Sequence, residues 1–151
     1  MGRSGYIEDC DGWALIRWRG AVASAIRGNR GQSFLREMLA ALDALPEKRL
    51  IRGELVEPNY ISISHWGIHE GPPLVCALGS VGEYRGIDMS ELDPWDRKTV
   101  AETFGIPDAL GAEIMDVNDE AQWGGGRWGE TPEDRFSRMR KWVVSKLKAS
   151  A

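Results

Sequence analysis

Two histidines and a glutamate stand close together in the middle of the chain. His65 and His69 are four residues apart, and Glu70 follows directly. This spacing brings both imidazoles to the same side of a helix or a strand, where they could bind a metal ion. A zinc site needs a third protein ligand, and neither Cys10 nor Cys76 has the spacing of such a ligand. We therefore predict no metal site and no other cofactor, and we interpret both histidines as solvent-facing residues.

Residue types that could perform catalysis are present, but they form no known catalytic motif. No serine has a base at an identifying spacing, and the glycine-rich stretches lack both the GxxxxGK[ST] pattern and a βαβ context. We predict no catalytic residue. An enzyme whose site is assembled from residues far apart in the sequence remains an alternative.

Charge is distributed unevenly along a chain whose net charge is only −4. Residues 1–56 sum to +2, and residues 83–134, with fourteen acidic and four basic side chains, sum to −10. Residues 135–151 contain six basic side chains and no acidic one, which gives +6. The acidic and basic segments either neutralise each other within the fold or present charged surfaces to a partner.

The acidic segment contains two short predicted helices with the outline of a helix-turn-helix, in TVAETFGIPDALGAEIMDVNDE at residues 99–120. The second helix carries no lysine or arginine, and DNA phosphates would repel its carboxylates. We predict that these carboxylates form an acidic face that binds a basic groove on a protein partner. The predicted face consists of Asp108, Glu113, Asp116, Asp119 and Glu120.

Arginines on the first two predicted helices form a second candidate surface, made of Arg17, Arg19, Arg27, Arg30 and Arg36. If the last helix lies beside the first two, its basic residues extend this surface, and Trp18 and Trp142 could stack on nucleic-acid bases. The other interpretation is that the arginines pair with the acidic middle of the chain and the tryptophans are core residues. Nucleic-acid contact is therefore the alternative to protein binding.

Two further tryptophans, Trp123 and Trp128, lie on either side of three glycines. Large aromatic side chains on such a loop suit a protein–protein contact, in which tryptophan often supplies much of the binding energy. The equal alternative is that both indoles fold back onto the domain.

Hydrophobic periodicity predicts the helices that position these residues. A helix from Trp13 to Arg27 has an apolar stripe, and a second from Gln32 to Ala44 ends before Pro46. We expect these two to pack as an antiparallel hairpin. The stripe of the first helix consists of Leu15, Trp18, Val22, Ala25 and Ile26.

Three helices are predicted for the second half of the chain. Asp93 caps the first of them, which ends near Gly105, and Pro107 opens the next. The last helix starts at Thr131-Pro132-Glu133-Asp134, with Phe136, Met139, Val143 and Leu147 facing inward.

Three short runs between the helical halves change to the pattern of strands. They are Arg49–Val56, Tyr60–Trp66 and Leu74–Val81, and they predict a small antiparallel sheet of two or three strands. We therefore expect one α+β domain over residues 1–151. No apolar run approaches the roughly 20 residues that span a bilayer, and no secretory signal precedes the domain, so we expect no membrane contact and a cytoplasmic location.

Several stretches resemble a family of small uncharacterised proteins from bacteriophages and prophages of proteobacteria. They are residues 2–51, VCALG, RGIDMSELDP, VAETFGI and ETPEDRFSRMRKWVVS; residues 57–73 look like an insertion. The resemblance implies no known activity or catalytic residue. It implies a phage accessory protein, located in the host cell, that binds and blocks a host protein or complex such as a CRISPR-type defence system.

Overall fold

The computed structural model describes Arg3 and residues 12–57, 72–119 and 130–149. These residues form six helices and no strand. Helix α1 spans Gly12–Arg27, α2 Asn29–Ala44, α3 Ala77–Arg85, α4 Arg97–Phe104, α5 Asp108–Asp119 and α6 Pro132–Lys146. The predicted α+β class is therefore wrong, because the part of the chain that the structure describes is all-helical.

The predicted sheet is replaced by isolated backbone contacts and a helix. Leu50 and Val56 each make a single bridge to Val75. Beyond this point the chain turns into α3, where the Cys76 sulfur accepts the backbone N–H of Gly79 at 3.3 Å. All residues from 74 to 82 are buried. The first six residues of α3, residues 77–82, have no exposed face, so this apolar run resembles a buried strand. The predicted middle strand, residues 60–66, lies outside the described residues.

The predictions of α1, α2 and α6 are confirmed. The predicted bounds of α1 and α2 and the predicted start of α6 agree with the structure to within three residues. Thr131 accepts the backbone N–H of Asp134, whose carboxylate accepts the N–H of Thr131, so α6 begins with a capping box at its predicted start. The predicted start of α4 at Asp93 is wrong. Asp96 caps α4 by accepting the N–H of Thr99 at 3.1 Å, whereas Asp93 accepts the N–H of Trp95 within the preceding turn.

Helix α5 lies at the centre of the fold. It contacts α1, α3, α4 and α6, and nine of its twelve residues are buried. At Gly111 an added Cβ would lie 3.4 Å from the Cβ of Ala101, so a small residue here lets α4 and α5 approach closely. The predicted core of this helix pair is confirmed, because all its members are buried: Ala101, Phe104, Ile106, Leu110 and Ile114.

Only Gly28 separates α1 from α2, and the two helices pack against each other. A Cβ at Gly31 would lie 1.8 Å from the carbonyl oxygen of Ala25 and 3.2 Å from the Cα of Ile26. These are backbone atoms, which cannot move aside as the end of a flexible side chain can. The relative position of α1 and α2 thus depends on a residue without a side chain at position 31.

None of the helices in the described ranges is long and apolar enough to cross a membrane.

We expect Gly31→Ala to lower the free energy of unfolding by about 1–3 kcal/mol, because the methyl group overlaps the backbone of α1. Gly20→Ala is the matched control, since a Cβ there meets nothing within 4 Å. It should raise the free energy of unfolding by about 0.5–1 kcal/mol through helix propensity alone. Urea unfolding followed by circular dichroism measures both effects, and a change of the same sign in the two variants would contradict the close approach.

Candidate functional site

The carboxylates predicted to form an acidic face on α5 do not lie on one exposed side. Asp108 is exposed in the first turn, and Glu113 and Asp116 are half-buried. Asp119 is buried, at 7% exposure, and therefore does not face solvent. Glu120 lies outside the described residues. The structure brings no exposed row of acidic side chains together on α5, and partner binding by these residues stays a prediction.

Asp119 is instead the acceptor in a buried network with Arg3. The Arg3 Nε donates to Asp119 Oδ2 at 2.6 Å, and its Nη2 donates to Oδ1 at 3.0 Å. Oδ1 also accepts the backbone N–H of Gly53 at 3.1 Å. Burial lowers the pKa of Arg3, but the Cys76 sulfur and the Asp119 carboxylate more than offset this, so the net direction is upward. The ion pair gives each of these buried groups a counter-charge, which offsets the cost of burying them.

Asn118 extends the network to two other parts of the chain. Its Oδ1 accepts the backbone N–H of Ala77, at the start of α3, at 3.0 Å. Its Nδ2 donates to the carbonyl of Ile51 at 3.0 Å and to Asp119 Oδ1 at 2.8 Å. The end of α5 thereby holds the irregular segment after α2 and the first turn of α3 in place.

Two arginines of the basic α6 are also used inside the fold. Arg138 donates to Glu130 Oε1 at 2.7 Å and to the carbonyls of Val117 and Asn118 at the end of α5. Arg135 donates to the carbonyl of Leu50 at 3.1 Å and pairs with Glu130 at 3.4 Å. Neutralisation within the fold, one of the two alternatives for the charged segments, therefore holds for these two arginines.

Further basic side chains pair with helix α2. Arg140 donates to Asp43 at 2.7 Å, and its hydrogen bond lowers the pKa of that carboxyl. Arg85 of α3 donates to Glu37 at 3.0 Å, and this hydrogen bond raises the pKa of the guanidinium. These pairs hold α3 and α6 against α2, so their charges are not available as a free basic surface.

The arginines predicted on α1 and α2 differ from all of these. Each of the five is exposed, and none forms an ion pair or a side-chain hydrogen bond within the described ranges: Arg17, Arg19, Arg27, Arg30 and Arg36. No aspartate or glutamate occurs between residues 12 and 36, so this stretch has a charge of +5. The structure thus leaves one uncompensated cluster of guanidinium groups, which we call the arginine face.

The two tryptophans expected to accompany the arginine face do not do so. Trp18 is half-buried, and Trp142 is buried at 9% exposure. The exposed aromatic residue on α1 is Trp13, at 76% exposure. The only fully buried residue of α1 is Val22, so this helix presents more of its surface to solvent than its predicted apolar stripe indicated.

The junction of α1, α2 and the end of α6 concentrates positive charge. The Gln32 amide donates to the carbonyls of Ile26 at 2.7 Å and Lys146 at 3.0 Å and accepts the backbone N–H of Lys148 at 2.8 Å. Lys148 Nζ lies 2.6 Å from the carbonyl oxygen of Arg27. The condition that the last helix lies beside the first two is met for α2, and the hydrogen bond of Lys148 joins the end of the chain after α6 to the end of α1. Lys148 therefore extends the arginine face.

An open groove of about 670 Å³ lies beside this junction. Ser24 and Arg30 line one side, and the turn between α4 and α5, at Gly105, Ile106 and Pro107, lines the other. The N-cap of α2 is Gly28, which has no side chain that could accept the first N–H groups of the helix. The first turn of α2 also contains no acidic residue. The positive end of the helix dipole therefore adds to the charge of Arg30 at the groove.

A simple sequence signal could have identified the arginine face as the stronger candidate. Counted over residues 1–56, the charge is only +2, because acidic residues before residue 12 and after residue 36 offset the arginines. Counted by helix, the charged residues of α1 and of the first half of α2 are all arginines. The burial of Asp119 had no such signal, because its partner Arg3 is 116 residues away.

Four further candidate residues lie outside the described residues: Trp123, Trp128, His65 and His69. Among residues that the structure describes, no group of three or more histidine, cysteine, aspartate or glutamate side chains could hold a metal ion. Cys76 is a free, buried cysteine.

Removing the charge of Asp119 should destabilise the fold strongly. Asp119→Asn leaves the buried guanidinium of Arg3 without a counter-charge, and we expect a loss of about 3–5 kcal/mol in the free energy of unfolding. Asp43→Asn is the matched control, because its pair with Arg140 is 47% and 43% exposed. That substitution should cost about 0–1 kcal/mol. Equal losses in denaturant unfolding would show that Asp119 does not hold a buried charge.

Glu130 should make stability depend on pH. Burial raises the pKa of Glu130, but its hydrogen bonds to Arg138 and the charges of Arg138 and Arg135 outweigh this and lower it below its usual value of 4.5. A carboxylate with a lowered folded-state pKa stabilises the fold above the unfolded pKa and ceases to do so as the pH falls through the folded pKa.

We therefore expect the free energy of unfolding to fall as the pH is lowered below 4.5. Glu130→Gln should reduce it by about 1–3 kcal/mol at neutral pH and make this acid dependence shallower. Glu102→Gln, an exposed carboxylate without an ion pair in the described ranges, is the control. A Glu130→Gln profile parallel to that of the wild type would refute the role of this ion pair.

Comparison of the chain with models of protein families, with curated proteins and with solved structures finds no match. The resemblance to bacteriophage proteins stays a prediction. Function is therefore inferred from the residues that the fold leaves exposed and unpaired.

Proposed function

We propose that this chain is an accessory protein that binds nucleic acid through the arginine face of α1 and α2. The observation that carries the proposal is that five exposed arginines have no counter-charge while other described arginines, on α3 and α6, are paired. Exposed guanidinium groups bind phosphate oxygens in a bidentate manner, which makes arginine well suited to nucleic-acid backbones.

The arrangement of the face favours a long polyanion. Arg17 and Arg36 lie on different helices, with Arg27 and Arg30 between them on either side of Gly28. A single small anion cannot contact charges distributed over two 16-residue helices. A phosphate backbone carries charge at regular intervals along its length, so several arginines can each neutralise one phosphate.

The buried position of α5 supports this choice of surface. A recognition helix must be exposed to enter a groove, and nine of the twelve residues of α5 are buried. The helix-turn-helix-like pair is therefore a core element, and its turn contributes to the groove beside Arg30. Nucleic-acid contact through α1 and α2 does not require α5 to be exposed.

A second candidate is the protein-binding function that the bacteriophage resemblance implies. The observation that favours it is a set of exposed carboxylates from the last turn of α3 to the start of α4, namely Glu83, Asp88, Glu91, Asp93 and Asp96. Tyr84 and Trp95, each 54% exposed, lie in the same stretch. Three of these carboxylates already have local structural roles, because Asp88, Asp93 and Asp96 accept backbone N–H groups in turns and at the start of α4. The arginine face has no such explanation, so it ranks first.

Binding to fluorescently labelled DNA and RNA, measured by anisotropy at two salt concentrations, tests the proposal. We expect the association constant to fall steeply between about 50 and 200 mM salt, because bound phosphates release counterions. The triple variant Arg17→Ala, Arg27→Ala and Arg30→Ala should bind more weakly. Its salt slope should be smaller by up to about 0.7–0.9 for each phosphate that no longer meets a guanidinium group.

Lys98→Ala is the matched control, since Lys98 is an exposed cation on α4, away from the arginine face. It should leave both affinity and slope unchanged, and circular dichroism should show that all variants remain folded. If the wild type binds no nucleic acid at low salt, or if the triple variant binds as the wild type does, the proposal is wrong. Equal affinity for polyglutamate would also overturn it in favour of an acidic protein partner.

A further inference from the structure

The outer side of α1 carries the two most exposed large apolar residues in the described ranges. Trp13 is 76% exposed and Ile16 is 62% exposed. Isolated exposed apolar residues need no explanation, but these two are adjacent on a helix surface and belong to the same element as three of the five arginines. Their position therefore bears on what the arginine face binds.

Helical geometry aligns Trp13 with two of the three arginines of α1, Arg17 and Arg27. At 100° per residue, Trp13, Arg17, Gly20, Ser24 and Arg27 fall within about 40° of one line along the helix. All five are exposed, and the buried Val22 lies on the opposite side. We call this line the outer stripe. It extends about 21 Å from Trp13 to Arg27.

Small residues occupy the middle of the outer stripe. Gly20 and Ser24 lie between the two arginines, and a Cβ added at Gly20 would meet no atom within 4 Å. The stripe thus has a large aromatic side chain at one end, cations at intervals along it and open space between them. At its other end, Ser24 and Arg30 lead into the groove beside the α4–α5 turn.

A second copy of this chain is a poor occupant for the outer stripe. A two-fold symmetric dimer through α1 would bring the same surface of both copies together. Residues 12–36 contain five arginines and no carboxylate, so the two copies would repel each other. The charge on α1 requires an anionic occupant.

The exposed indole distinguishes between double-stranded and single-stranded occupants. In a duplex every base is already stacked on its neighbours, so contact with an indole face requires unstacking, at a cost of a few kcal/mol. In a single strand the base faces are accessible, and stacking on an aromatic side chain adds to the binding of the phosphates. A duplex would use only the arginines and would leave Trp13 without a partner.

We infer that the outer stripe of α1 binds single-stranded nucleic acid, with a base stacked on Trp13, a phosphate near that base bound by Arg17 and a phosphate farther along the strand bound by Arg27. This inference rests on the proposed function and narrows it to one class of nucleic acid. The stacking is tolerant of sequence, because every base has a π-face. The stripe therefore selects strandedness and not a particular base sequence.

The test compares labelled oligothymidine of about 16 nucleotides with its duplex on oligodeoxyadenosine, at one low salt concentration. We expect the wild type to bind the single strand more tightly. Trp13→Ala should weaken single-strand binding about tenfold and leave duplex binding unchanged. Trp13→Phe keeps an aromatic face and should recover most of the affinity.

Trp95→Ala is the matched control, because Trp95 is also an exposed tryptophan but lies outside α1. It should bind both probes as the wild type does. If Trp13→Ala weakens neither probe, or weakens both equally, the inference fails while salt-dependent binding leaves the proposed function standing. If neither probe binds the wild type, both proposals fail. A wild-type dimer in sedimentation that Trp13→Ala dissociates would also overturn the inference, since Trp13 would then contact a second copy.

Discussion

The fold depends on how the end of a buried helix is satisfied. The last turn of α5 places negative charge in the interior. It contains carbonyl groups that have no partner within the helix, the negative end of the helix dipole and the carboxylate of Asp119. Arg138 binds the carbonyls of Val117 and Asn118, and Arg3 binds the carboxylate. Two cations from opposite ends of the sequence therefore meet at one point. They allow the end of α5 to be buried, where α5 contacts α1, α3, α4 and α6.

This requirement separates the arginines of α6 from those of α1 and α2. The arginines of α6 face the buried end of α5 or an acidic neighbour, and their charges are neutralised within the fold. Those on α1 and α2 have no such role, because these helices meet the core through apolar side chains, most of them on α2. The net charge of −4 conceals this division. The arginine face consists of the arginines on α1 and α2 that form no ion pair within the described residues.

The success of sequence-based prediction followed the asymmetry of each segment. α2 and α6 have one buried and one exposed face, so their periodicity identifies them, together with Pro46 after α2 and Thr131 before α6. Residues 74–82 are buried on every side, which removes the periodic signal and makes a helix look like a strand. The placement of Asp119 depends on Arg3, 116 residues away, and no local pattern encodes that contact. The sequence predicts the arginines of α1 and α2 as one exposed surface, because arginine side chains are exposed in most proteins.

The positions of Trp13 and Trp18 show which part of the site hydrophobic periodicity could predict. The predicted apolar stripe of α1 contains Trp18 and Val22 and leaves Trp13 out, and the contact of α1 with α5 turns Val22 inward as that stripe requires. Trp18 becomes half-buried, and Trp13 is left beside Arg17 on the outer stripe. Five like charges without counter-ions on adjoining helices repel one another and add nothing to folding. This repulsion lowers the stability of the folded protein, and a polyanion bound to the arginine face would relieve it. The arginine face is therefore better explained by binding than by folding.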